Sequence, residues 1–132
     1  MKIVILIAVL CGVFFPNQKT YSLNDFKWKN RLLIISGTET GKIERQWTEL
    51  VKNIQSNNDR KLLVFKPKGD YLINQYDQLL NYKNDATEFS ISLIGLDGSE
   101  KLKKLEFTSI EYIHQLIDSM PMRMNEIKKK KE

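Results

Sequence analysis

Two apolar stretches, Leu32-Leu33-Ile34-Ile35 and Leu62-Leu63-Val64-Phe65, run without alternation. Continuous runs of this length read as strands covered on both faces. Between them Ile43, Trp47, Leu50, Val51 and Ile54 recur at i, i+4, i+7, i+8 and i+11, one stripe of a helix. Strand, helix and strand at this spacing predict a right-handed βαβ unit with parallel strands.

The second half is patterned differently. Lys66-Pro67-Lys68-Gly69-Asp70 reads as a loop. Residues 74–82 then predict a short helix with Tyr76, Leu79 and Leu80 facing inward. Residues 89–94 and 101–107 read as two strands joined at Asp97-Gly98, a pair favoured in hairpin turns because glycine accepts a positive φ. Thr108-Ser109-Ile110-Glu111 has capping-box spacing and opens a last helix. Its Ile110, Ile113, Leu116 and Ile117 face the core, and Pro121 ends it. The order β-α-β, α, β-β-α predicts an α/β fold of thioredoxin-like topology, with a ferredoxin-like sheet, built of similar pieces, as the alternative. A four-stranded mixed sheet, parallel in its first half and antiparallel in the hairpin, would be flanked by helices.

The N-terminus has another character. Residues 3–15 are uninterrupted by charge, follow Lys2 and stop before Pro16. Thirteen residues are too few to cross a bilayer as a helix but suit the apolar region of a secretory signal. The expected division is a signal peptide over 1–22, a domain over 23–127 and a basic tail over 128–132. The mature protein is then extracytoplasmic, secreted or periplasmic. The one cysteine, Cys11, lies inside the removed segment.

Charge narrows the partners. The full chain carries 21 Lys and Arg against 16 Asp and Glu, a net +5. Residues 23–127 hold fifteen of each sign, so the body is neutral and the excess sits in Lys128, Lys129, Lys130 and Lys131. That distribution does not describe a nucleic-acid-binding face. A solvated terminus is expected, with weak contact to a polyanion or membrane surface as the alternative.

Candidate chemistry is sparse. Ser36-Gly37-Thr38-Glu39-Thr40-Gly41-Lys42 fills the first βα loop, where a thioredoxin-like fold would place its reactive groups. It has three residues between its glycines and Ile43 after the lysine, so it departs from a Walker loop; a turn with Thr40 capping the helix is expected. The lone histidine, His114, reads as structural. Asp97, Glu100, Asp118 and Glu126 lack EF-hand spacing, and neither a metal nor a cofactor is expected. Trp28-Lys29-Asn30-Arg31 precedes the first strand. There Trp28 either packs across the sheet end or offers a stacking surface, and Arg31 either pairs with a carboxylate or binds an anion. Met120-Pro121-Met122-Arg123-Met124 sets methionines and an arginine about a helix-ending proline, as a lock on the last helix or a contact surface.

Three stretches together resemble the DUDES domain family: Trp28 to Leu33, Ile94 to Leu102 through Asp97 and Gly98, and Ile117 to Arg123 through Met120, Pro121 and Met122. That family comprises exported bacterial proteins and domains of vertebrate sushi-repeat and equarin-like matrix proteins. The resemblance implies a thioredoxin-like fold near the peroxiredoxins. The chain departs at Lys61, where the pattern has an acidic residue after Arg60. Peroxiredoxin chemistry needs a thiolate, and residues 23–132 contain none. The expected function is a non-catalytic module binding an extracytoplasmic protein through Trp28, Arg31, Arg123 and the methionines. The alternative is a peroxiredoxin-like oxidoreductase using a cofactor or a partner's thiol.

Overall fold

The computed structural model describes residues 19–83 and 85–131. Most of the expected signal segment, residues 1–18 with Cys11, lies outside them. In chain order the elements are β1 (Thr20–Tyr21), α1 (Leu23–Phe26), β2 (Arg31–Ser36), α2 (Thr40–Val51), α3 (Ile54–Asp59), β3 (Leu62–Lys68), β4 (Tyr71–Asn74), β5 (Leu79–Leu80), β6 (Ser90–Ile94), β7 (Glu100–Lys104), α4 (Ile110–Asp118) and α5 (Pro121–Lys131).

The strands form one mixed sheet in the order β1-β5-β4-β3-β2-β6-β7. Its heart is the expected four: β3 parallel to β2, β2 antiparallel to β6, and β6 antiparallel to β7. The registers Leu33↔Val64 and Leu33↔Leu93 explain the apolar runs, since β2 has neighbours on both edges and cover on both faces. Alternate residues of β2 feed two cores. Leu33 and Ile35 pack with Leu50 of α2 and Ile113 and Ile117 of α4. Leu32 and Ile34 pack on the other face with Phe26, Phe65, Leu72 and Leu80.

Three strands beyond the expected four come from residues read otherwise. The predicted loop at 66–70 is mostly strand: β3 continues to Lys68, and Gly69 at φ +59 turns the chain into β4. The predicted helix over 74–82 does not form. The Asn74 carboxamide Oδ1 accepts from the Tyr76 and Gln78 N–H groups at 2.9 and 3.0 Å, and Asp77 sits at φ +60. A side chain competing for backbone donors and one left-handed residue together stop a helix before it starts. Leu79 and Leu80 become β5 instead, Leu80 fully buried and Tyr76 about half exposed. β5 in turn pairs with β1, and Tyr21 packs its ring 5.5 Å from Phe26. Cleavage after Ser22 would delete this strand.

Helix ends also differ by a residue or so. Glu39, not Thr40, is the N-cap of α2, without a side-chain cap bond. The predicted stripe splits after Val51, because Asn53 caps a new helix by accepting from Ser56 N–H at 3.1 Å. Ser109 rather than Thr108 caps α4, accepting from Tyr112 N–H. Thr108 is held instead by Gln46: its N–H and C=O bond the two ends of that buried carboxamide at 2.8 and 2.7 Å. Pro121 follows the end of α4 as expected, but it also starts α5, a first-turn position where its missing N–H costs nothing. The four terminal lysines therefore lie in the last turn of a helix rather than a frayed tail.

Candidate functional site

The residues singled out from the sequence meet at one end of the sheet, where β2 begins, β6 turns into β7 and α4 gives way to α5. Three guanidinium groups organise this end. Arg31, 1 % exposed, forks onto Glu126 at 3.2 and 3.3 Å and donates to the Arg60 carbonyl at 2.8 Å. Arg60 grips Asp118 with two bonds at 2.9 and 3.1 Å. Arg123, 3 % exposed, reaches Asp118 at 3.1 Å, Glu126 at 3.4 Å, the Asp59 carboxylate at 2.7 Å and the Asp59 carbonyl at 2.9 Å. Lys130 adds an ion pair to Asp59, and Lys61 stands 4.0 Å from Glu126.

Buried guanidinium groups require partners of this kind, since an unpaired buried charge is prohibitive. The cluster binds α5, poor in buried apolar residues, to the ends of α3, β2 and α4. Burial works against the charge on Asp118, but bonds from Arg60 and Arg123 outweigh it and hold that carboxyl below the usual carboxylate range. His114 lies beside the cluster on α4. Its Nε2 meets Asn57 Oδ1 at 2.7 Å, and Asn57 in turn donates to the Leu50 carbonyl. Burial first, then the Arg60 charge, depresses the imidazole's proton affinity.

In front of the cluster is a cavity of about 260 Å³, whose walls include Arg31, Leu96, Asp97, Met120, Pro121 and Met122. Gly98 turns the adjoining hairpin at φ +83, as the Asp-Gly pair predicts. Asp97 accepts from the Ser99 N–H and hydroxyl at 3.0 and 2.8 Å and pairs with Lys101 at 3.0 Å. The Ser99 bonds, then Lys101, hold its carboxyl far below the ordinary range.

Trp28 joins this end of the sheet through its backbone. Its N–H donates to the Leu96 carbonyl at 2.7 Å, but the expected packing across the sheet end does not occur. The side chain is 60 % exposed, and the backbone stands at φ +68, a left-handed conformation shortly before β2. Met122 and Met124 are exposed as well, whereas Met120 packs against the core. Arg31 and Arg123, expected as contact residues, are consumed by internal carboxylates and act from behind the surface.

Sequence reasoning missed the counter-ions. Asp118 and Glu126 read as scattered carboxylates, and Asp59 drew no attention. The legible signal was the Arg123 to Glu126 spacing of three, which sets the two side chains on one helix face. Among the described residues no group of three or more His, Cys, Asp or Glu could hold a metal ion. No helix among them is long and apolar enough to cross a membrane.

Comparison with known proteins agrees with the fold. The mitochondrial 2-cys peroxiredoxin from Plasmodium falciparum superposes with a TM-score of 0.51 at 11 % identity, over 77 % of this chain and 91 % of that one. At that identity the likeness shows a shared thioredoxin-like architecture and nothing of activity. No curated protein matches the chain. The DUDES name suggested by the sequence motifs is not the one the family comparison returns. Residues 22–126 match the family described as Domain of unknown function (DUF4174), and the chain belongs to it.

Proposed function

We propose that this domain is a non-catalytic binding module, and that its contact surface is formed by the exposed side chains Trp28, Met122 and Met124, of which Met122 lines the cavity. The observation that carries the reading is Trp28. An indole held mostly in solvent, on a backbone conformation costing a non-glycine residue about 1–2 kcal/mol, lowers stability twice over. Strain and exposed aromatic area kept together are features of recognition surfaces. The exposed methionines of α5 supply an adaptable apolar contact, and the arginine cluster fixes the α4–α5 corner that presents them. The ionisable groups at this end are engaged in internal pairs, which favours binding over acid–base turnover.

The partner is a protein met outside the cytoplasm, a location supported by the apolar run over 3–15. The mass of the exported form tests that location. Loss of a segment ending at or before Lys19 is expected, because β1 uses Thr20 and Tyr21; a full-length protein confined to the cytoplasmic fraction would exclude export. The surface is tested by photocrosslinking from position 28 or 122, with position 38 as control. One saturable adduct from the first two and none from the third is expected. Equal labelling from all three, or none from any, would refute the assignment. The peroxiredoxin-like alternative rests on fold likeness alone; peroxide consumption above a denatured control would revive it.

A further inference from the structure

Hydrogen bonding sets Arg31 apart from the other two arginines of the cluster. Every guanidinium nitrogen of Arg60 and of Arg123 donates to an oxygen of the chain. On Arg31 only Nη1 does so, to the Arg60 carbonyl and to Glu126 Oε2. Its Nη2 stands 3.2 Å from Glu126 Oε1, an oxygen that accepts no hydrogen bond, and its Nε meets no acceptor among the described residues. Protein does not seal these two nitrogens, since the enclosed side-chain atoms without a partner are Gln75 Nε2 and Glu126 Oε1. Arg31 is 1 % exposed and lines the cavity of about 260 Å³, so the cavity is where they are reached.

Nε and Nη2 form one edge of the planar guanidinium, with two N–H bonds side by side. Such an edge matches the two oxygens of a carboxylate. Glu126 takes the end of the group and leaves this edge open. The surroundings favour an anion there. The ion pairs of the cluster join five cations, Lys61 and Lys130 among them, to three carboxylates, so the field behind the cavity is positive. Pro121 and Met122 bring the first turn of α5 to the wall, and a helix N-terminus carries partial positive charge. Asp97 also lines the cavity, but Ser99 and Lys101 already hold its carboxylate. Leu96, Met120, Pro121 and Met122 leave the remaining wall apolar, in a space smaller than most small-molecule sites.

We propose that this cavity binds a carboxylate carried on an apolar body about one residue long. The carboxylate accepts from Arg31 Nε and Nη2, and the body lies against Met120 and Met122. A protein chain ending in an apolar residue and a small free acid share this chemistry. The site shares Met122 with the contact surface proposed above but does not need Trp28, so crosslinking from position 28 and binding at Arg31 can fail separately.

The test is an NMR titration of the isotope-labelled full chain with N-acetyl-L-leucine, 4-methylpentanoate and N-acetyl-L-leucinamide, the last lacking the carboxylate. At least one acid is expected to shift the Arg31 Nε–H and the Met120 and Met122 methyl signals saturably below about 1 mM, with the amide at least about tenfold weaker. Tighter binding of N-acetyl-L-leucine than of 4-methylpentanoate identifies a chain terminus as the source; the reverse order identifies a free acid. Arg31→Lys keeps a charge for Glu126 but loses the edge, and it should weaken the acids by about tenfold or more. Met122→Glu places a like charge at an exposed part of the wall and should weaken them similarly. If Arg31→Lys misfolds, the Met122→Glu result decides. Equal binding of the amide, unchanged acid binding in the folded variants, or no saturation by either acid would each overturn the proposal.

Discussion

The two ends of the central sheet spend their polar residues in opposite ways. At the start of β2, Arg31, Arg60 and Arg123 are wrapped around Asp59, Asp118 and Glu126. At the far end of the same strand the first βα loop is open. Glu39 and Lys42 form a pair 3.4 Å apart that is more than half exposed, and Thr38 makes one hydroxyl bond to the Thr87 carbonyl. A thioredoxin-like fold invites chemistry at the second end, yet this chain built its dense polar structure at the first. Fold alone is a poor guide to where a chain does its work.

The sharpest way to break this contrast is to remove Arg123. Arg123→Ala leaves Asp59, Asp118 and Glu126 short of a buried partner and should cost about 3–5 kcal/mol, read from urea unfolding midpoints. Arg123→Lys should recover only part, since an ammonium cannot reproduce the fork. The gap between Arg123→Ala and the parent should narrow in acid. Asp118 is ionised more readily folded than unfolded, so its contribution is present above the ordinary aspartate range and is lost as pH falls from about 4 through its depressed value.

At the loop end the constraint is backbone rather than side chain. Gly37 sits at φ +126, and a Cβ there would lie 3.0 Å from the Phe89 Cα. Gly37→Ala should therefore destabilise by about 1–3 kcal/mol. Trp28→Gly should run the other way, leaving stability unchanged or up to about 1 kcal/mol higher as strain is relieved, while the crosslinked adduct disappears. Lost stability of several kcal/mol would mean that Trp28 is structural after all.

Smaller effects complete the comparison. Lys42→Ala and Glu39→Ala should shift stability by less than about 0.5 kcal/mol, as expected of an exposed pair. His114 gives the least. Folded, it takes a proton less readily than the unfolded chain does, so the unfolded state binds more protons from about 6.5 down to the depressed value. Stability should fall gently as pH drops through that window, and His114→Gln should flatten the slope.

Much of the fold was legible in the residues. The continuous runs at 32–35 and 62–65 announced a strand pair covered on both faces, and the stripe from Ile43 to Val51 announced α2. Asp97-Gly98 marked its turn because the backbone conformation there is a property of the residue itself. The errors cluster where long-range contacts prevailed. Leu79 and Leu80 read as helix because their spacing allows it, but Asn74 captures the local N–H groups and β4 takes the leucines as a strand. Thr108 read as a cap, but Gln46, sixty-two positions earlier, claims both its backbone groups.

The same division holds for the candidate site. The Trp28, Arg31, hairpin and Met-Pro-Met-Arg stretches stood out by residue type, and the fold does bring them to one end of the sheet. Their roles were not legible. Whether Arg31 meets a ligand or a carboxylate depends on the arrival beside it of Glu126, 95 positions away. Periodicity, turn chemistry and the lack of any thiol after Cys11 are local properties, and the sequence alone determined them. Burial of the arginines, exposure of Trp28 and the bonds between Gln46 and Thr108 were decided only when strands and helices closed together, because pairing and desolvation belong to the assembled environment and not to the residue.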